Sequence, residues 1–171
     1  MKKIKLNIIV PSLVQGGGLR IIFSYANYLV EQGHDVVVYV PVLYVWPKVR
    51  NNKINWKTSA GNFLRSNKLK WFDNKFKIKS VFKISDTYIR NADIVIATAW
   101  QTAQTVYDLD DTKGKKVYFI QGYEVDNEGI NKQEVEDSYK LGMNMFTIAN
   151  WLEELVEAIS EQEVKVIRNW T

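Results

Sequence analysis

The chain has 171 residues, 46% of them hydrophobic and 25% charged, with a formal net charge of +4. That size suits one domain and lets about 70% of the unfolded surface be buried, enough for a real core. The absence of cysteine excludes a disulfide framework and thiolate chemistry, and a lone histidine, His34, excludes a His-rich metal site, so no metal is expected.

The start, Met1-Lys2-Lys3, is positive, but Asn7 and Pro11 break the apolar run that follows, so a strand fits better than a signal peptide. No apolar stretch approaches the ~18 residues of a membrane span. These features predict a cytoplasmic protein. Asn7 to Val10 is a β-rich run, and the glycines Gly16, Gly17 and Gly18 stand where a helix begins. Without Cβ atoms the backbone there can be closely approached. The first N–H groups of a helix have no internal partner and lie at the positive end of its dipole. Strand, glycines and helix start together suit an anion, most often a phosphate. A P-loop would need Lys after the glycines, whereas Leu19 and Arg20 follow. A dinucleotide fingerprint would need a third glycine where Ile21 stands, and an acid after the second strand, which runs into Pro41-Val42-Leu43. What survives is a phosphate or sugar-nucleotide cradle, Gly16 to Gly18, with Arg20 as a charged partner.

Leu19 to Gln32 has helical period, with Leu19, Ile22, Phe23, Ala26, Leu29 and Val30 on one face. Gly33 ends it, His34 is a junction residue, and Val36 to Val40 is a continuous apolar strand of the kind buried on both faces. Ile54 to Lys57 suggests a short strand. Arg65 to Lys83 carries seven Lys/Arg against Asp73 alone, so the rest of the chain is slightly acidic. Trp71, Phe72, Phe76 and Phe82 interleave with the lysines, and Lys75 to Lys79 alternates as an edge strand with lysines outward. One local basic patch is a weak case for nucleic acid, and none is expected as a partner.

A helical turn is expected at Ser85 to Arg90, then a buried strand, Ala92 to Ala97, and a helix, Trp100 to Leu109. Strand Lys116 to Ile120, helix Asn131 to Leu141 and strand Met145 to Ile148 follow. Helix Trp151 to Ile159 turns Trp151, Leu152, Leu155, Val156 and Ile159 inward, and Val164 to Ile167 is a last strand. Alternating strands and helices predict an α/β fold, a Rossmann-like three-layer αβα sandwich with a mainly parallel sheet. Ligands of such sheets bind beyond the carboxyl ends of the strands. Three loops leave those ends, Pro11–Gly18, Thr98–Trp100 and Gln121–Glu124, and they should converge on one crevice.

The order of these segments, from about Lys5 to Thr171, resembles the amino-terminal domain of GT-B glycosyltransferases, specifically the retaining group 1 or family 4 type. IIVPSLVQGGGLR is similar to the first strand and glycine loop, and EQGHDVVVYVP to the helix end and second strand. FTIANWLEELVEAI is similar to the family's strand and helix start, and VKVIRNW to the strand leading into the second domain. Gln121 stands at a strand end where many members carry His, and Ala149 where Ser is usual, which makes Asn150 the expected helix cap.

The resemblance implies one half of a GT-B fold: a single acceptor-side domain over residues 1–171, its carboxyl-terminal donor-binding domain absent from this chain. It implies transfer of a sugar from a nucleotide-diphosphate sugar to a glycan or lipid-linked acceptor, as in cell-envelope polysaccharide synthesis, with no other cofactor. Gly16, Gly17, Gly18 and Arg20 would meet the donor's phosphates. Thr98, Trp100, Gln121, Tyr123 and Glu124 would face the acceptor; no catalytic residue is assigned. Lys68, Lys70, Trp71, Lys75, Lys77 and Lys79 would dock on an anionic membrane surface at the inner face of the membrane. The alternative is a stand-alone Rossmann-type nucleotide- or phosphate-binding module.

Overall fold

The computed structural model describes residues 2–42, 69–126 and 130–167. The strand expected at Ile54 to Lys57, the docking residue Lys68 and the end of VKVIRNW lie outside them. The described residues form seven strands: β1 (Lys5–Ile9), β2 (Asp35–Pro41), β3 (Lys77–Val81), β4 (Ile94–Ala97), β5 (Lys115–Ile120), β6 (Asn144–Thr147) and β7 (Val164–Val166). The helices are α1 (Gly17–Glu31), α2 (Trp100–Tyr107), α3 (Lys132–Tyr139) and α4 (Asn150–Ser160). All strands are parallel, in the order β3-β2-β1-β4-β5-β6-β7, so this is a Rossmann-like α/β sandwich. The order reverses between β1 and β4, and such a switch point opens a crevice at the carboxyl edge.

Alternate residues of each strand feed two cores. On one face Ile9, Tyr39, Val95, Tyr118 and Met145 pack with Trp100, Val106, Val135, Leu152 and Val156 from α2, α3 and α4. On the other, Leu6, Ile8, Val36 and Val38 pack with Ile22, Phe23 and Ala26 of α1 and with Leu69 and Phe76. Burial on both faces explains the unbroken run of β2, whose residues Val36 to Val40 are all buried. Strand β3 is the edge, with Lys77 and Lys79 exposed as the alternation predicts.

Several local expectations are corrected. Gly17 and Gly18 lie inside the first turn of α1, with Gly16 as its N-cap. The helical turn expected at Ser85 to Arg90 is present as a single turn, closed by Tyr88 and Ile89 N–H groups donating to Ser85 O. Asn150 is the first residue of α4, not its cap; Ala149 holds the cap position without a side-chain bond. Trp151 is 58% exposed, because Leu152, Leu155, Val156 and Ile159 already complete the inward stripe and Trp151 falls to its side.

Candidate functional site at the carboxyl edge

Beyond β1 the chain loops from Pro11 to Gly16, whose extended backbone (φ −164°, ψ 162°) leads into α1 with no side chain capping the helix. The first intrahelical bond runs from Arg20 N–H to Gly16 O at 3.1 Å. The N–H groups of Gly17, Gly18 and Leu19 therefore precede the ladder, at the positive end of the helix. No acidic residue stands in the first turn to occupy that end. Gly16, Gly17, Gly18 and Arg20 are all exposed. A Cβ on Gly16 or Gly17 would meet nothing within 4 Å, so internal packing does not demand glycine there. What glycine preserves is close approach from solvent.

Gly18 differs: a Cβ there would lie 3.4 Å from the side-chain amide of Gln121. This proximity joins the first loop to the end of β5. Pro11, Ser12, Gly18, Leu19, Thr98 and Gln121 are among the walls of a crevice of about 120 Å³. One or more residues from each of the three predicted loops thus meet in one place. Thr98 is buried and fixed, its hydroxyl donating to Ile9 O at 2.8 Å and its N–H to Thr102 Oγ1 at 3.1 Å. The first bond ties the end of β4 to the end of β1, and the second ties it to α2. The Oε1 atom of Gln121 is buried without a hydrogen-bond partner. A buried acceptor left unpaired is costly, and a ligand hydroxyl or N–H can satisfy it.

The other residues assigned to the acceptor side sit differently. Trp100 is 4% exposed, its ring in the core under α2, α3 and α4. Tyr123 packs against the same core and donates its hydroxyl to Glu136 Oε1 at 2.8 Å. Glu124 accepts the Trp100 N–H at the start of α2, yet burial dominates and pushes its carboxyl up to about 7. Burial also raises the nearby Tyr118 and Tyr139 phenols, and the Glu124 charge adds to both. Trp100, Tyr123 and Glu124 are not walls of the crevice, so Gly18, Thr98 and Gln121 form its polar group with Ser12.

In the basic segment Trp71, Phe72 and Phe76 serve packing, whereas Phe82 is 55% exposed. Trp71 stacks on Phe23 of α1 with centroids 5.6 Å apart, and Phe72 and Phe76 touch the same ring at 5.4 and 5.0 Å. Lys75 is paired with Glu31. Lys70, Lys77 and Lys79 remain exposed for a charged surface. No described helix is long and apolar enough to cross a membrane.

A polar clamp near the opposite, amino-terminal end of the sheet has no local signature in the sequence. Asn7, fully buried, donates to Arg90 O at 2.8 Å and accepts from Arg90 Nε at 3.1 Å. The Arg90 guanidinium also donates to the Asp35 carboxylate and to Asp35 O, both at 2.7 Å. That hydrogen bond holds the Asp35 carboxyl below its usual range. Partners 83 residues apart leave no local pattern to read.

Compared with known proteins, the sequence matches no protein-family model and no curated relative. The functional reading therefore rests on the fold and on the crevice.

Proposed function

We propose that this domain is the acceptor-side half of a glycosyltransferase that takes sugar from a nucleotide-diphosphate donor. The observation that carries the reading is the meeting of Gly18 and Gln121 at the switch point of the parallel sheet. An uncapped, glycine-rich helix start beside neutral hydrogen-bonding groups suits a phosphate next to a hydroxyl-rich molecule. In this reading the N–H groups of Gly17 and Gly18, with Arg20, stabilise charge developing on the leaving diphosphate. Ser12, Thr98 and Gln121 orient the acceptor. Glu124 acts behind the crevice, through the start of α2, as a positioning residue.

Sugar transfer needs the donor held and the acceptor hydroxyl placed in line. The crevice offers one helix start, one nearby arginine and a few neutral groups, so the nucleotide is assigned to a second domain. Residues 1–171 alone are expected to show no turnover with any nucleotide sugar, and to turn over when joined to a donor-binding domain. Helix-end interactions contribute about 0.3–1 kcal/mol each, so the isolated domain should bind inorganic phosphate or a nucleoside diphosphate no tighter than millimolar. Titration followed by amide NMR should move Gly16 to Arg20. Shifts elsewhere with none in that stretch, or robust transfer by residues 1–171, would refute the assignment. Micromolar nucleotide binding by these residues alone would identify a self-sufficient nucleotide-binding module instead.

A further inference from the structure

We propose that Glu124 is a proton-operated latch between two of the loops that form the crevice, closing it in mild acid and loosening it in mild alkali. The latch belongs to the unliganded domain and holds whatever the crevice binds. Residues 98–100 leave the end of β4 and residues 121–124 leave the end of β5. Each stretch puts its first residue, Thr98 or Gln121, on the crevice wall. Neither Trp100 nor Glu124 is a wall, but these two join the stretches to each other, because the Glu124 carboxyl accepts the Trp100 N–H at the start of α2.

The two sides of this bridge are not held equally. On the β4 side the Thr98 hydroxyl donates to Ile9 O, and Thr102 Oγ1 accepts both the Thr98 and the Ala99 N–H groups, at 3.1 and 3.2 Å. On the β5 side Gln121 reaches Gly18 with its Oε1 unbonded, so its place depends on the backbone behind it. Tyr123 anchors that backbone to α3 through Glu136, and Glu124 anchors it to α2. The ionisable groups of the cluster are Glu124, Tyr123, Tyr118 on β5, and Tyr139 and Glu136 on α3. The first turn of α2 adds none. None of the five becomes positive in any protonation state, and Lys132, which pairs with Glu136 at 3.5 Å, is mostly exposed. A carboxylate formed here loses hydration that the Trp100 N–H does not replace, and burial lifts the Glu124 carboxyl to about 7. As pH rises through neutrality the proton leaves to solvent and the new charge draws the carboxyl toward water. With the β4 side fixed, the displacement falls on residues 121–124 and carries Gln121 away from Gly18.

The test is an NMR titration of the full unliganded chain across neutral pH. The Glu124 carboxyl carbon reports ionisation, and NOEs between the Gln121 side-chain protons and the Gly18 α protons report closure. The carbon is expected to inflect near pH 7, and the NOEs to be strong below that midpoint and to weaken above it. Glu124→Gln should keep the NOEs strong at every pH. His34, the one histidine, follows the carboxyl-terminal end of α1, away from Gly18, so His34→Gln should leave the pH dependence as it is. A carbon that inflects while the NOEs stay constant would reveal a buried acid that moves nothing, and would overturn the inference. Weakening that persists in Glu124→Gln, or disappears in His34→Gln, would assign the effect to another group and overturn it too. Should Glu124→Gln fail to fold, the wild-type titration decides: NOEs that weaken at a midpoint other than that of the Glu124 carbon refute the latch.

Discussion

Replacing Glu124 by Gln should stabilise the protein in a strongly pH-dependent way. The Gln side chain keeps an oxygen to accept the Trp100 N–H and removes the ionisation. Burial raises the Glu124 pKa from 4.5 to about 7, so the folded state holds this proton over a range where the unfolded chain releases it. The cost is absent well below pH 4.5, grows as pH rises to about 7, and is constant above. At 1.36 kcal/mol per pH unit, the full displacement corresponds to about 3 kcal/mol at pH 8. Urea unfolding of both proteins at pH 4 and pH 8 measures it, with the wild type as reference at each pH. Groups common to both proteins, Asp35 included, cancel in that comparison. The variant should gain about 3 kcal/mol at pH 8 relative to its difference from wild type at pH 4. An equal difference at both pH values would show that Glu124 ionises freely in the folded protein.

Arg90→Ala leaves the Asn7 amide oxygen and the Asp35 carboxylate without their donor, and should destabilise by about 1–3 kcal/mol in the same unfolding assay. Asp35 has a lowered pKa, so its contribution is present above its unfolded value near 3.8 and is lost as pH falls through the folded value; the variant should lack that acid-side loss. A Cβ at Gly17 meets no neighbour within 4 Å, so Gly17→Val should fold, yet its branched side chain should abolish the phosphate-induced NMR shifts of Gly16 to Arg20. If the basic face docks as the resemblance implies, Lys70, Lys77 and Lys79 would supply about 1 kcal/mol each near an anionic surface. Flotation with anionic vesicles should weaken with salt and disappear on charge reversal of these three lysines, whereas equal binding to neutral vesicles would remove the docking proposal.

The strands were legible because parallel strands read as apolar runs: Val36 to Val40, buried on both faces, and Ile94 to Ala97 and Val117 to Ile120, in part half-buried. The glycine stretch was legible as a strand-to-helix junction, although Gly17 and Gly18 already belong to α1. Side-chain direction was less so. Trp100 and Trp151 both stand in the first turn of a helix, yet one is core and the other is exposed, because Trp151 falls beside the inward stripe of α4. Trp71 and Phe76 looked like aromatic display among lysines, but both pack on Phe23, a partner far away in sequence. Glu124 is assigned to the acceptor by the resemblance, and only tertiary packing reveals its burial. Gln121 and Gly18 were each assigned from sequence, to acceptor and donor respectively, while their proximity required the strand order.

The reversal of strand order between β1 and β4 bears on how the domain assembles. Strands β4 to β7 follow one another in sequence and pair in that order, so each closure spans a short stretch of chain. The β1–β4 pairing instead joins Leu6 to Ile94 and closes a far longer loop, at a greater entropic cost. The crevice straddles that seam: Ser12 and Gly18 come from one side, Thr98 and Gln121 from the other. Any opening that parts β1 from β4 dismantles the crevice while each half keeps its own strand pairs. A ligand bound there acts as a clasp across the seam, and amide exchange in β1 and β4 should slow more on binding than exchange in β6 and β7.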